Sequence, residues 1–179
     1  MFCNGNKPDR QNHPVNCVDW VQAKKYCEAI NKRLPKQAEW EYAARGTDGR
    51  TYPWGNGPPD EKKLNGCGGE CLAMMRVVMI QPELKPLYPG NDGFEATAPV
   101  GSFPGGASPF GALDMGGNVT EWLEEPEGPY AKEGKGRSVS GGGSWAVNGT
   151  YNYSGAIHGW QYADERVPDY GFRCARAED

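Results

Sequence analysis

Long hydrophobic runs are missing from this sequence. The most apolar window, Leu72 to Ile80, is too short to span a bilayer and carries Arg76, so it reads as a buried strand or the wall of a loop. No membrane insertion is expected. Basic clusters are missing too: the formal net charge of -4 is spread along the chain, with no patch that would neutralise phosphates. That argues against a nucleic-acid partner. Histidine is reduced to His13 and His158, and no His-x-x-x-His, Gly-x-Ser-x-Gly or P-loop pattern occurs, so the common hydrolytic and nucleotide-binding devices cannot be assembled. A Cys-x-x-Cys pair is also absent. The six cysteines therefore read as disulfides rather than zinc ligands, and they point to an extracytoplasmic or secreted location. No basic-then-apolar leader opens the chain, and Met1-Phe2-Cys3 reads as a domain boundary.

Glycine and proline are abundant, at 26 and 15 residues of 179, so much of the chain must lie in turns and irregular coil. The length fits one domain over residues 1–179, trimmed on its N-terminal side, able to bury about two thirds of its unfolded surface. Asp19-Trp20-Val21-Gln22 has the form of a capping box, and Trp20, Ala23, Cys27 and Ile30 follow at spacings of three and four, which predicts a helix. A second helix is expected from just after Pro35 to Gly46, with Trp40, Ala43 and Ala44 facing inward. From Thr47 to Phe110 only Pro-Gly punctuation is evident. A loop that long needs pins such as a disulfide or a metal. Short strands are expected around Ala112 to Met115, Val119 to Leu123, Arg137 to Trp145 and Tyr170 to Ala175. Helices early and strands late predict an α+β domain with two helices packed on small antiparallel sheets.

Five segments carry a family resemblance. They are Asp92-Gly93-Phe94, Ala98-Pro99-Val100-Gly101, Asp114-Met115-Gly116-Gly117-Asn118-Val119-Thr120-Glu121-Trp122, Gly143-Ser144-Trp145 and Gly171-Phe172-Arg173-Cys174-Ala175. With Arg33-Leu34-Pro35 and Glu39-Trp40-Glu41-Tyr42 upstream, the chain resembles the formylglycine-generating enzyme (sulfatase-modifying factor) family over nearly its whole length. The resemblance implies a C-type-lectin-like fold. It also implies structural calcium, bound at one site by the side chains of Asn118 and Glu121 with the carbonyls of Gly116 and Val119. The second implied site uses the side chains of Asn65 and Asp92 with the carbonyls of Gly66 and Phe94. Hard oxygens on irregular loops suit calcium, although Asn and Asp serve plain turns equally well. Finally, it implies a disulfide between Cys27 and Cys174. Cys67 and Cys71 can close a small ring and leave Cys3 with Cys17, but six cysteines allow many other pairings.

The same resemblance locates what is missing. After Gly-Ser-Trp, oxygen-using members carry Cys-His-x-Ser-Tyr-Cys, whose two thiolates bind copper and activate dioxygen. Here the run is Val147-Asn148-Gly149-Thr150-Tyr151-Asn152. Valine and asparagine cannot replace two soft sulfur ligands, so no copper and no catalytic residue are expected. From Val147 to Tyr162 the chain is instead poor in charge and rich in Tyr, Asn, Ser and Gly, the composition of a paratope or of a coil packed on the fold. The expected ligand-binding residues are Val147, Asn148, Tyr151, Asn152, Tyr153, His158, Trp160 and Tyr162, with a protein or peptide as ligand. The segment between Gly143-Ser144-Trp145 and Gly171-Phe172-Arg173 also resembles the diversified region of retroelement variable proteins. The expected function is a calcium-stabilised, non-catalytic binding domain; the alternative is an oxidoreductase or other protein-modifying enzyme using non-standard residues.

Overall fold

The computed structural model describes residues 2–78, 83, 85–127, 137–156 and 158–176. Asp19 Oδ1 accepts the Gln22 N–H at 2.8 Å and Gln22 Oε1 accepts the Asp19 N–H at 3.1 Å. Two orphan donors are thereby satisfied, and helix α1 starts there, at Trp20–Ala29. Helix α2, Gln37–Arg45, buries Trp40 and Ala44 and ends at Gly46, whose φ of 63° a side chain would resist. Lys36 offers no acceptor at its N-cap, so Glu39 takes the Lys36 N–H at 2.9 Å. Arg33 grips the same Glu39 carboxylate at 2.6 and 2.7 Å and holds its pKa down at about 2.

Residues Gly69–Val78 form a third helix, α3, which corrects the reading of this window as strand or loop wall. The apolar length of the run hid its composition: Ala73, Met74, Met75 and Arg76 are strong helix formers, and Glu70 complements the dipole in the first turn. Residues 79–80 of that window lie outside the described residues.

One four-stranded sheet has the order β3-β2-β1-β4, with β1 at Thr120–Glu127, β2 at Arg137–Gly141, β3 at His158–Tyr162 and β4 at Tyr170–Phe172. The β1/β2 and β2/β3 pairs are antiparallel, but β4 runs parallel to β1. This corrects the expectation of purely antiparallel sheets. The connection from β3 crosses to the far edge past the start of α1, where Ala163 O accepts the Trp20 N–H at 3.0 Å and Arg166 pairs with Asp19 at 2.9 Å. The expected strand at Ala112 to Met115 is bends and coil, and β3 was not anticipated at all. The α+β class stands.

The core is aromatic. Trp20, Ala23, Cys27, Leu34, Trp122 and Ala163 pack together, and Trp40, Ala44, Met115 and Leu123 form a second cluster across β1. The two indoles of the first cluster find acceptors, Trp20 Nε1 on Leu123 O at 2.7 Å and Trp122 Nε1 on Val18 O at 2.9 Å, so burial leaves neither donor orphaned. Three disulfides complete the frame: Cys3–Cys17, Cys27–Cys174 and Cys67–Cys71.

Candidate functional site

A glycine-permitted approach helps build a cavity at the end of the sheet. Beyond β2, Gly143 has φ 62°, and a Cβ there would lie 3.0 Å from both Asn152 O and the Tyr153 ring, so only glycine lets the Thr150–Tyr153 turn close on the strand. His158 opens β3 opposite Gly141. Together with Asp169 and Tyr170 these elements enclose about 380 Å³, lined also by Thr120, Val147, Tyr151 and Asn152. The two positions where the resemblance places copper-binding thiols, Val147 and Asn152, thus face one space. A larger opening of about 540 Å³ near Arg33, Glu39 and Arg173 is chemically quieter, because its charges are already paired in the protein.

The cavity holds two groups with unused capacity. Asp169 accepts the Ser144 hydroxyl at 2.8 Å, and burial pushes its pKa up while that bond opposes the shift. His158 keeps 10% of its side chain exposed, and neither ring nitrogen has a hydrogen bond among the described residues. Glu41 is 3.7 Å from Nε2, beyond hydrogen-bond range, and Trp40 lies edge-on at 6.2 Å. Burial lowers the His158 pKa, with Glu41 pulling the other way. Asp169 escaped the sequence reading; only its place two residues before the Gly-Phe-Arg landmark could have signalled it.

The expected ligand residues divide. Tyr151 is 66% exposed and Tyr162 51%, as anchors should be. Tyr153 is fully buried, with its hydroxyl donating to the carbonyls of Ser144 and Val147, so it belongs to the core and its assignment to the surface is corrected. A tyrosine that reaches two inward carbonyls buries at little polar cost. Asn148 donates to Lys85 O at 3.0 Å. Trp160 pairs with Val139 in the β3/β2 ladder, and its side chain lies outside the described residues.

The proposed calcium ligands also divide. Asn65, Gly66, Asp92 and Phe94 do converge: Asp92 Oδ2 accepts the Tyr88 hydroxyl at 2.6 Å and the Gly66 N–H at 3.2 Å, and Oδ1 accepts the Phe94 N–H at 2.9 Å. Asn65 donates to Ala96 O at 2.8 Å, while its Oδ1 is buried without a partner. Burial raises the Asp92 pKa to about 6. Asn118 and Glu121, in the run from Gly116 through the buried Val119, are differently placed. Asn118 exchanges two bonds with Ala98, at 3.1 and 3.2 Å. Glu121 accepts from Trp40 Nε1 at 2.7 Å and from Arg173 at 2.5 and 2.7 Å, so an arginine supplies the positive charge it faces.

A model of the sulfatase-modifying factor enzyme 1-like domain matches residues 3–178. The chain belongs to this family. Formylglycine-generating enzyme of Mus musculus is 36% identical over 93% of this chain and 45% of its own length. Inactive C-alpha-formylglycine-generating enzyme 2 of Bos taurus is 31% identical over 90% of this chain and 50% of its own. The chain thus spans about half the length of these curated relatives. Among solved structures CarF superimposes with TM-score 0.69 at 23% identity, over 99% of this chain and 76% of that one. Treponema denticola variable protein 1 gives 0.57 at 19% identity, over 90% and 70%, a likeness of fold.

Within this sulfatase-modifying factor domain, the donor set does not fit copper. Val147 and Asn152 line the cavity, and all six cysteines are in disulfides, so no thiolate is available to the metal. For a hard cation at Asn65 and Asp92 the donor set does fit: oxygen atoms on loops, one of them orphaned in the interior.

Proposed function

We propose that this domain is a non-catalytic recognition module with a C-type-lectin-like scaffold, binding a protein or peptide at the cavity and rim formed by residues 147–162. The observation that carries the reading is the lining of the cavity by Val147 and Asn152, where oxygen-using relatives would need thiolates. Exposed Tyr151 and Tyr162 supply rigid contact area around it. The flanking landmarks support diversification of this surface in the manner of a variable protein, since they are framework: Trp145 is buried, Ser144 holds Asp169 and Arg173 holds Glu121. Structural calcium is proposed at Asn65, Gly66, Asp92 and Phe94; at Asn118 and Glu121 the ion pair with Arg173 takes that role. Three disulfides favour an oxidising, extracytoplasmic setting, and no helix among the described residues is long and apolar enough to cross a membrane.

The cavity is tested by restoring its chemistry. The unaltered domain is expected to show no oxygen uptake or aldehyde formation with copper(I) and a cysteine-containing peptide, and no copper(I) uptake in competition with a chromophoric chelator. The V147C/N152C variant is expected to acquire copper(I) binding. Turnover by the unaltered domain would overturn the reading and favour the alternative, a protein-modifying enzyme that uses Asp169 and His158. Recognition itself is tested by selection from a random peptide library: enriched peptides should lose about tenfold in affinity with Tyr151→Ala, as expected for an aromatic anchor.

A further inference from the structure

Glu70 buries its carboxylate oxygens at the start of α3, where only the helix dipole offsets their charge among the described residues. Both carboxylate oxygens are buried, and neither has a hydrogen-bond partner among the described residues. Asn65, 1% exposed, leaves Oδ1 in the same condition. An unpaired buried carboxylate is costly, and proteins resolve that cost by pairing it or by letting it coordinate a metal. Two observations tie Glu70 to the Asn65–Asp92 loops. A Cβ built on Gly68 would lie 2.6 Å from Glu70 Oε1 and 2.8 Å from Tyr88 Cε2, so the carboxylate and the Tyr88 ring flank one point. The Tyr88 hydroxyl in turn reaches Asp92 at 2.6 Å and the Gly66 carbonyl at 3.2 Å.

The position of Glu70 is fixed covalently. It lies between Cys67 and Cys71, whose disulfide closes a ring with a sequence separation of 4 at the start of α3. Within so short a ring the residue next to Cys71 has little freedom, and the Leu72 N–H to Gly68 carbonyl bond at 3.0 Å braces it further.

We propose that Glu70 is a third side-chain oxygen donor to a calcium ion at the Asn65–Asp92 site, and that the closed Cys67–Cys71 ring holds it there. This rests on the calcium reading above and extends it: two carboxylates rather than one face the ion, and affinity in oxygen sites rises with ligand charge and rigidity. The ring then makes cation affinity depend on a disulfide whose sulfurs are not themselves ligands.

Terbium luminescence tests this, with Tyr88 as sensitiser and calcium as competitor, on the unaltered domain and on the E70Q, D92N and C67A/C71A variants. Near-UV circular dichroism confirms that each is folded. The unaltered domain should bind one ion, D92N should abolish binding, and E70Q and C67A/C71A should each weaken it by about tenfold or more. Binding by E70Q within about twofold of the unaltered domain, with D92N still abolishing it, overturns the role of Glu70 and leaves the calcium reading standing. A C67A/C71A affinity equal to that of the unaltered domain overturns the role of the ring. Absence of any ion on the unaltered domain removes the calcium reading and this inference together. E70Q is isosteric, so it keeps the test open even if the double cysteine variant fails to fold.

Discussion

Replacing Cys27 and Cys174 together with alanine lowers the unfolding free energy by about 4 to 5 kcal/mol, more than the loss of either other disulfide. The argument is one of chain entropy. Cys27–Cys174 spans a sequence separation of 147, against 14 for Cys3–Cys17 and 4 for Cys67–Cys71. Loop-closure entropy grows with the logarithm of that span, giving about 3 and about 2 kcal/mol for the two shorter links. The long link also joins α1 to the segment just after β4, where Arg33 and Ala175 exchange backbone bonds at 3.0 and 2.7 Å. Its loss therefore frees both ends of the core cluster around Trp122. Urea denaturation of the three double variants measures the ranking, with the slope reporting any change in the denatured state. If the Cys27–Cys174 variant loses no more than the Cys67–Cys71 variant, the denatured chain is already constrained and the entropic account fails.

What was legible in the sequence was whatever chemistry is local. The Asp19–Gln22 capping box, the inward spacing of Trp20, Ala23 and Cys27, and the stop at Gly46 each depend on neighbours within one turn, and each formed as expected. Helix α3 was missed because its apolar run was judged by length, while helix propensity and a ring closed by Cys67 and Cys71 decided the outcome. The parallel pairing of β4 with β1 was missed for a different reason. It depends on Arg166 and Ala163 meeting the start of α1, contacts with sequence separations too large for any pattern to show. Composition does not separate the exposed Tyr151 and Tyr162 from the buried Tyr153, since exposure is settled by the reach of a hydroxyl to buried carbonyls. Glu70 and Asp169 lay hidden among ordinary acids until burial separated them from the rest.

Changing Glu121 to glutamine is expected to cost about 3 kcal/mol, at the lower end of the range for breaking a buried pair because Arg173 keeps 31% of its side chain exposed. The substitution preserves shape and can still accept from Trp40, but it takes the paired carboxylate from the guanidinium, which keeps the carbonyls of Leu113 and Asp114 at 3.1 and 3.2 Å and the more distant charge of the Asp114 carboxylate. Arg173→Met should cost a comparable amount, because it removes both hydrogen bonds that the buried Glu121 carboxylate accepts from the guanidinium. The double variant E121Q/R173M should recover part of the sum, because neither charge is then stranded. Urea denaturation of the two single variants and the double variant measures the coupling. The chelator-sensitive shift in melting temperature decides between arginine and calcium as the cation at this point: it should survive E121Q and vanish in D92N, because a bound ion stabilises only through ligands it touches. Loss of that shift in E121Q would place an ion where Arg173 now lies, and the guanidinium would then have to leave a carboxylate it holds with two hydrogen bonds.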